Sequence, residues 1–491
     1  MKCNEIPDLL PLLADKPPAL TFTGVQCDSR RVHPGDLFVA VCGHRDDGAK
    51  YGAAALAKGA AAVLSETPLR DCSKANIIVK DARLALAALA NAVNGWPSRK
   101  MDVFGITGTN GKTTTAWLLS ELLRAHGRNP GLLTTVQIAY QDRVIPATRT
   151  TPDACELQSL LAAMASAGCD AAVMEVSSHA LDQQRTAGIR FAGAAFTNLS
   201  HDHLDYHGSM EAYWETKKRL FTQLAAETPG APAACFLDAP YGTQMAAFLA
   251  TLPVKRVTCG FSDAADIRAE DVSLTPDGGR FTLATPDGAR APMTLQLAGR
   301  HNIANALCAA ALAQSAGVPW KTITAVLQAA RPQWGRLERV PVNAAFRVFV
   351  DYAHTHDALT NVLSAIREMS NGRIIVVFGC GGDRDRTKRP LMGRACADGA
   401  DVLVITSDNP RTEKPEDIIA EIMAGIPAGT TAHIEPNRRA AIRLALSLAQ
   451  DDDVVLIAGK GHESFQEIAG RSFPFDDRQV AMEESARALA F

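Results

Sequence analysis

The chain has 491 residues, 47% of them apolar and 21% charged, with a formal net charge of −3. That length exceeds one hydrophobic core, giving roughly two to four domains, and the composition is that of an ordinary soluble enzyme. The balanced charge offers no basic field to nucleic acid or an anionic membrane, so neither is an expected partner.

The first unit spans residues 1–97. Its pattern predicts strands at Thr21–Cys27, Asp36–Val41, Ala61–Ser65 and Ile77–Val79, with Ala-rich helices at Tyr51–Lys58 and Ala82–Val93 between them. Polar loops punctuate it at Asp28-Ser29-Arg30-Arg31 and Gly43-His44-Arg45-Asp46-Asp47-Gly48, and Asn94-Gly95-Trp96-Pro97-Ser98 has a linker's composition.

The second unit, 98–332, opens with an apolar strand, Val103–Ile106, then Thr107-Gly108-Thr109-Asn110-Gly111-Lys112-Thr113-Thr114, then a helix over Thr113–His126. A Gly-rich turn between strand and helix lets backbone N–H groups approach phosphate oxygens, and the helix N-terminus adds partial positive charge. Lys112 reaches the β/γ-phosphates in such a loop, and the hydroxyl of Thr113 or Thr114 ligates magnesium. The spacing departs from the standard phosphate loop, with Ile106 where its first glycine stands and an extra glycine at Gly108. Farther on, Thr150-Thr151 precede a helix at Cys155–Ala167. The strand Ala171–Met174 ends in Glu175-Val176-Ser177-Ser178-His179, where a carboxylate at a strand's carboxyl end is placed to hold magnesium. A strand at Ala194–Phe196 leads to His201-Asp202-His203-Leu204-Asp205-Tyr206-His207, read as a metal or phosphate locus. In the amphipathic turn Tyr213–Phe221 the pattern makes the lysines surface charges. Strands at Arg280–Thr285 and Pro292–Leu297 follow, and Gly299-Arg300-His301-Asn302 opens another helix.

The third unit, 333–491, has strands Phe346–Val350, Arg373–Phe378, Asp401–Ile405 and Asp453–Ile457. Helices at Leu359–Met369, Pro390–Gly399, Pro415–Met423 and Arg438–Ala449 separate them. This is the pattern of a doubly wound, Rossmann-like parallel sheet, whose strand carboxyl ends share one edge. Asp351–His354, the loop with Arg384, the Asp408-Asn409-Pro410-Arg411 loop and the Gly459–Glu463 loop therefore converge there. Eleven scattered cysteines, never spaced Cys-x-x-Cys, argue against a disulfide framework or zinc knuckle and for a reducing compartment. With no membrane-length apolar run and no signal-peptide core, the expectation is a cytoplasmic, multidomain α/β enzyme.

Gly108-Thr109-Asn110-Gly111-Lys112-Thr113-Thr114, Glu175-Val176-Ser177-Ser178, Thr197-Asn198-Leu199, Asp202-His203-Leu204-Asp205, His301-Asn302, Asp351-Tyr352-Ala353-His354 and Asp408-Asn409-Pro410-Arg411 together resemble the Mur ligases of peptidoglycan synthesis, along nearly the whole chain. Asp28-Ser29-Arg30 and Gly35–Ala40 match that family's UDP-binding domain. The phosphate loop alone fits folylpolyglutamate synthase equally well; the first unit and the Asp-Asn-Pro-Arg loop favour the cell-wall enzymes. The resemblance implies three α/β domains: an N-terminal UDP-sugar-binding domain, a central ATPase-like domain with a mainly parallel sheet, and a C-terminal amino-acid-binding domain. It implies ATP-dependent amide formation through an acyl phosphate, joining meso-diaminopimelate to UDP-N-acetylmuramoyl-L-Ala-D-Glu in a monomer.

By the same resemblance Lys112 contacts the phosphates, and Thr113, Glu175, His203 and Lys217 form the magnesium set, with Lys217 carbamylated. Asn302, Arg336, Asp351 and His354 line the nucleotide. Ser29, His44, Thr150, Thr151, Ser177, Gln183 and Arg185 contact the UDP-sugar peptide. Arg384, Asp408, Asn409, Arg411, Gly459 and Glu463 take diaminopimelate, Arg411 offering a bidentate fork to the carboxylate that lysine lacks. Two departures bear on loop geometry: His356 stands where the family has proline, and Arg386-Thr387 where lysine and glycine are common. The rivals are an L-lysine-adding relative, an NTPase that only hydrolyses ATP, and a nucleotide-sugar binding protein.

Overall fold

The structure is a computed structural model describing residues 1–15, 20–43, 46–72, 75–275, 277–332, 335 and 337–488. The chain forms two compact units. One comprises residues 1–199, 203–265 and 308–323; the other comprises 200–202, 266–307 and 324–491.

The first compact unit contains two sheets. Strands Gly24–Gln26, Asp36–Val39, Ala62–Ser65 and Asn76–Ile78 pair in sequence order, all parallel. Helix Ala82–Val93 starts at Asp81, whose carboxylate accepts from the Leu84 amide. Its alanines allow close approach to the sheet, and Ala85, Leu89 and Ala92 close over Leu37, Val39 and Leu64. The second sheet runs Lys255–Gly260, Pro232–Phe236, Phe191–Phe196, Asp102–Thr107, Ala171–Glu175, Pro130–Leu133, Gln137–Tyr140 and Arg143–Pro146. Its first six strands are parallel; the last two turn back as antiparallel neighbours. Asp102–Thr107 lies between Phe191–Phe196 and Ala171–Glu175. Chain order reverses there, which places the following loop in the crevice where such sheets bind ligands.

In the second unit, Ile267–Thr275, Gly278–Ala284 and Arg290–Leu295 form an antiparallel meander. A six-stranded sheet runs Glu338–Val340, Arg347–Asp351, Val454–Ala458, Ile374–Phe378, Val402–Ile405 and Ala432–Ile434. Only its first pair is antiparallel. Alternation along Ile374–Phe378 sends Ile374, Val376 and Phe378 into a core with Leu359, Leu363 and Ile366, and Ile375 and Val377 into another with Ala441, Ile442 and Val480. Two cores, one on each face, make this sheet doubly wound. Helix His356–Met369 begins three residues before its expected start, because the Thr355 hydroxyl caps it by accepting from the Ala358 amide. His356, in the family's proline position, simply occupies the first helical turn.

Two buried arginines tie this unit together. Arg438 and Asp477 are both fully buried and meet in a bidentate pair at 2.8 and 2.7 Å. The fully buried Arg389 binds Glu413 at 2.8 and 2.9 Å and Glu421 at 2.8 Å. The Arg389 guanidinium, helped by the Asp383 amide, holds the Glu413 carboxyl down at about 2. A carboxyl lowered on folding contributes stability above its unfolded value of 4.5 and loses it as pH falls toward 2. Glu413→Gln should therefore start with a lower melting temperature at neutral pH and decline less than the native chain between pH 4.5 and 2. Thermal melts at stepped pH check this, and parallel declines would refute it.

Candidate active site

The loop after Asp102–Thr107 is fixed by its glycines and by the end of the neighbouring strand. Gly108 has φ +152°, and a Cβ there would lie 1.9 Å from the Thr197 hydroxyl; Gly111, at φ +83°, caps helix Lys112–Ala125. Only glycine suits the first position. The Thr109 amide donates to the Asn198 carbonyl at 3.0 Å and the Asn110 amide to Asn198 Oδ1 at 2.9 Å. In return, Thr197 Oγ1 and Asn198 Nδ2 donate to the Asn110 carbonyl at 2.6 and 3.0 Å. Four hydrogen bonds clasp the loop from one side. Lys112 Nζ donates to the Gly108 and Thr109 carbonyls at 2.9 and 2.7 Å, which sets its ammonium over the loop.

At the head of the helix the Thr113 hydroxyl donates to Glu175 Oε1 at 2.8 Å. Glu175, only 1% exposed, ends its strand and also accepts from the Thr135 amide and hydroxyl at 2.8 and 3.1 Å. A buried carboxylate beside a threonine hydroxyl at a phosphate-type loop is an oxygen set suited to a hard divalent cation.

The polar groups beyond Glu175 form one network. Thr151 Oγ1 donates to the Glu175 carbonyl at 2.9 Å and accepts from the Ser177 amide at 3.1 Å. Arg185 donates to the Thr151 carbonyl at 2.8 Å and to Gln183 Oε1 at 2.7 Å, and Thr150 accepts from the Thr135 hydroxyl at 3.2 Å. Gln183 Nε2 reaches the Tyr206 hydroxyl at 3.1 Å, which itself donates to Asp182. Thr150, Thr151, Ser177, Gln183 and Arg185 thus stand together. Burial, then the nearby Arg149 charge, lowers the Arg185 pKa from its ordinary value.

His203 sits at φ +55°, its ring 4.8 Å from that of His179 and 6.1 Å from that of Tyr213. His207 stacks on Tyr213 at 4.9 Å and meets the Ser178 hydroxyl at 2.9 Å. Burial, followed by repulsion from His179, pushes the His207 imidazole below its usual value, with Lys217 adding to the effect. The Tyr213 hydroxyl is 3.1 Å from the Thr109 hydroxyl, joining this cluster to the loop. Lys217 is 1% exposed, its Nζ 4.5 Å from the Tyr213 ring centroid. The helical pattern makes Lys217 a surface charge; the fold corrects this, because helix Met210–Glu227 turns Tyr213, Lys217, Leu220 and Phe221 inward together. His203 and His207 join the ring cluster, while His201 belongs to the other compact unit and stands 5.9 Å from His356.

In the second unit the strand ends do converge. Asn409 Nδ2 donates to Glu463 Oε2 at 2.9 Å, and the fully buried Lys460 donates to Asn409 Oδ1 and Glu463 Oε2 at 3.0 Å each. Arg411, at φ +52°, donates to the Gly382 carbonyl at 2.7 Å and pairs with Glu467 at 3.2 Å. Gly381 separates Arg411 from Arg384: a Cβ there would lie 3.0 Å from Arg411 Nη1 and 3.7 Å from Arg384 Cγ. Gly459, at φ +114°, leaves room for the Asp408 carboxylate, which would lie 2.5 Å from a Cβ. Asp351 accepts from the Leu337 and Ala353 amides at 2.6 and 2.8 Å, and His354 Nδ1 bonds the Tyr352 carbonyl at 2.7 Å. Asn302 is buried in the first turn of helix Arg300–Ser315, donating to the Ala298 carbonyl at 2.8 Å. Ser29 begins a short helical turn at Ser29–Arg31. His44 and Arg336 lie outside the described residues. Sequence reasoning assigned no part to Thr197 and Asn198, to Thr135, to Tyr213 or to Lys460. Thr197 and Asn198 stood in a quoted family motif and Lys460 stood between glycines at a strand end, so these three carried a usable signal.

Three Mur ligase models match the chain: the Mur ligase family catalytic domain over residues 21–94, the middle domain over 106–313 and the glutamate ligase domain over 335–461. A UDP-N-acetylmuramoyl-L-alanyl-D-glutamate–2,6-diaminopimelate ligase from Gloeobacter violaceus is 45% identical over 469 residues, 95% of this chain and 94% of its own. One of the same name from Bacillus licheniformis is 43% identical over 464 residues, 94% of each chain. A solved structure of a ligase of that name superposes with a TM-score of 0.71 at 34% identity, covering 100% of this chain and 99% of the other. The MurF ligase of Thermotoga maritima in complex with ADP shares the fold at 18% identity, with a TM-score of 0.62 and coverage of 95% and 97%. With its loop, strand ends and length all matched, the chain belongs to the Mur ligase family.

Proposed function

We propose that this chain is an ATP-dependent ligase of cytoplasmic peptidoglycan-precursor synthesis, adding meso-diaminopimelate to UDP-N-acetylmuramoyl-L-alanyl-D-glutamate. The observation that carries the reading is 45% identity along 95% of the chain to a relative named for that reaction. Residues 1–97 take the nucleotide sugar, 98–332 ATP, and 333–491 the amino acid.

An oxygen of the D-glutamate carboxylate attacks the γ-phosphorus, and ADP leaves. The amino group of diaminopimelate then attacks the acyl carbon, phosphate departs and the amine loses its proton. Gly108, Thr109, Asn110 and Gly111 form the loop around the phosphates, Lys112 supplies a cation as charge moves to the leaving ADP, and Thr114 stands beside Thr113 in the first helical turn. Thr113, Glu175, His203 and a carbamylated Lys217 hold magnesium; the hydroxyl–carboxylate pair of Thr113 and Glu175 suits the ion, which neutralises phosphoryl charge when bound. The lysine ammonium first gives up one proton; carbon dioxide then adds to the free amine with loss of a second, so a cation is replaced by a carbamate with anionic oxygens. Asn302, Arg336, Asp351 and His354 contact the nucleotide. Ser29, His44, Thr150, Thr151, Ser177, Gln183 and Arg185 bind the UDP-sugar peptide. In the amino-acid site Arg384 and Arg411 face carboxylates, and Asp408, Asn409, Gly459 and Glu463 place the ammonium group. The working form is a monomer, with these small molecules as its partners.

A product-mass assay with magnesium, ATP and the UDP-dipeptide, run separately with meso-diaminopimelate and L-lysine, tests the reading. Tripeptide with diaminopimelate alone is expected. Product with lysine alone keeps the ligase chemistry and overturns the amino acid, while ATP consumption without an adduct overturns the ligase. Arg411→Asn retains a residue that tolerates left-handed backbone while removing the fork. It should raise the KM for diaminopimelate roughly 10- to 100-fold, the worth of a charged hydrogen bond, and leave that for ATP within about twofold. Equal changes in both would contradict the assignment.

A further inference from the structure

Cys27, Asp153 and Cys155 come from distant parts of the chain yet offer ligand atoms that all lie within 4.8 Å of one another. Cys27 follows strand Gly24–Gln26, Asp153 caps helix Ala154–Ser166, and Cys155 lies in that helix's first turn. All three are half-buried, and Ala154 between the two helix ligands is part of the core beneath the first sheet. No step of the ligase reaction uses these groups. The geometry points to a site for one thiophilic divalent cation of the zinc class, held by the two cysteine sulfurs and the Asp153 carboxylate.

Two thiolates and a carboxylate form a soft, mainly sulfur donor set, which selects zinc over magnesium. Tetrahedral ligands at a zinc–sulfur distance of about 2.3 Å stand about 3.8 Å apart, so closing the site needs movements of about 1 Å. The helix end serves the site twice. Asp153 Oδ1 accepts the Glu156 amide at 3.0 Å, which orients the carboxylate, and the helix N-terminus favours a thiolate at Cys155. The opposing charges are Arg149, 3.9 Å from Asp153 Oδ2, and Arg185, whose charge also senses Asp153. Three negative ligands outweigh them once a dication is present. Zinc takes cysteine in the thiolate form, so loading releases protons. An ion here would clip the first sheet to the helix that follows Thr150-Thr151.

The chain, stripped by chelator and kept reduced, is titrated with zinc, and its thiols are then alkylated and mapped. One tight equivalent is expected, with Cys27 and Cys155 protected and the other nine cysteines unchanged. Cys27→Ser or Cys155→Ser should weaken zinc binding by about 100-fold or more, and Asp153→Asn, which keeps the helix cap, by about 10-fold. X-ray absorption on the zinc-loaded native chain needs no variant and should find two sulfur neighbours with the remainder oxygen or nitrogen. Unprotected Cys27 and Cys155 at saturating zinc, protection elsewhere, or three or four sulfur neighbours would overturn the site.

Discussion

Lys112→Ala is expected to lower turnover by about 1000-fold with little change in thermal stability. The loss is of the order seen when one preorganised charge-stabilising group is removed from an active site. Its ammonium is held over the phosphate-type loop by the Gly108 and Thr109 carbonyls, and the residue is only half-buried. Charge reaches the departing β/γ-oxygen chiefly in the transition state, so kcat should fall further than the KM for ATP rises. Steady-state phosphate release with all three substrates, alongside the product-mass assay, measures both parameters. Turnover within about tenfold of native would remove Lys112 from the chemistry.

Asp477→Ala should destabilise the second compact unit by about 3–5 kcal/mol. Arg438 and Asp477 are both wholly buried, and Arg438 also donates to the Ala458 carbonyl at 2.9 Å. Removing the carboxylate strands a guanidinium away from water, which costs more than the pair itself contributes. The double variant Arg438→Met, Asp477→Leu should recover most of the loss, because neither charge remains to be desolvated. Urea unfolding followed by circular dichroism compares the three chains. A single variant that unfolds at the native midpoint would show the pair to be dispensable.

Legibility in the sequence followed the range of the interactions. The loop Gly108–Thr114, Glu175 at its strand end and the four loops of the last unit rest on local alternation and on the rule that parallel strands share a carboxyl edge. They could be read without coordinates. Lys217 was reached only through the family resemblance, because its helix carries Lys218 and Arg219 beside it and helical periodicity alone does not say which cation turns inward. The clasp from Thr197 and Asn198 spans 87 to 89 residues of chain. The ion pairs of Arg389 and Arg438 likewise depend on which helix lands beside which. The meeting of Cys27 with Cys155 leaves no local trace, since spacing rules detect only ligands close in sequence. The antiparallel hairpin Phe465–Ile468 and Arg471–Pro474, whose Glu467 reaches Arg411, was similarly invisible.

The clasp on the phosphate-type loop has a thermodynamic consequence. Fixing a residue's backbone costs about 1–2 kcal/mol of conformational entropy, and here Thr109 and Asn110 are already fixed in the folded chain by Thr197 and Asn198. Nucleotide meets a mould that does not have to set. The association therefore carries a small ordering penalty, and more of the contact energy is left to act where charge moves during phosphoryl transfer. Affinity and fold stability thus draw on the same few hydrogen bonds, and the end of strand Phe191–Phe196 holds part of the binding energy although neither Thr197 nor Asn198 is assigned to touch the ligand.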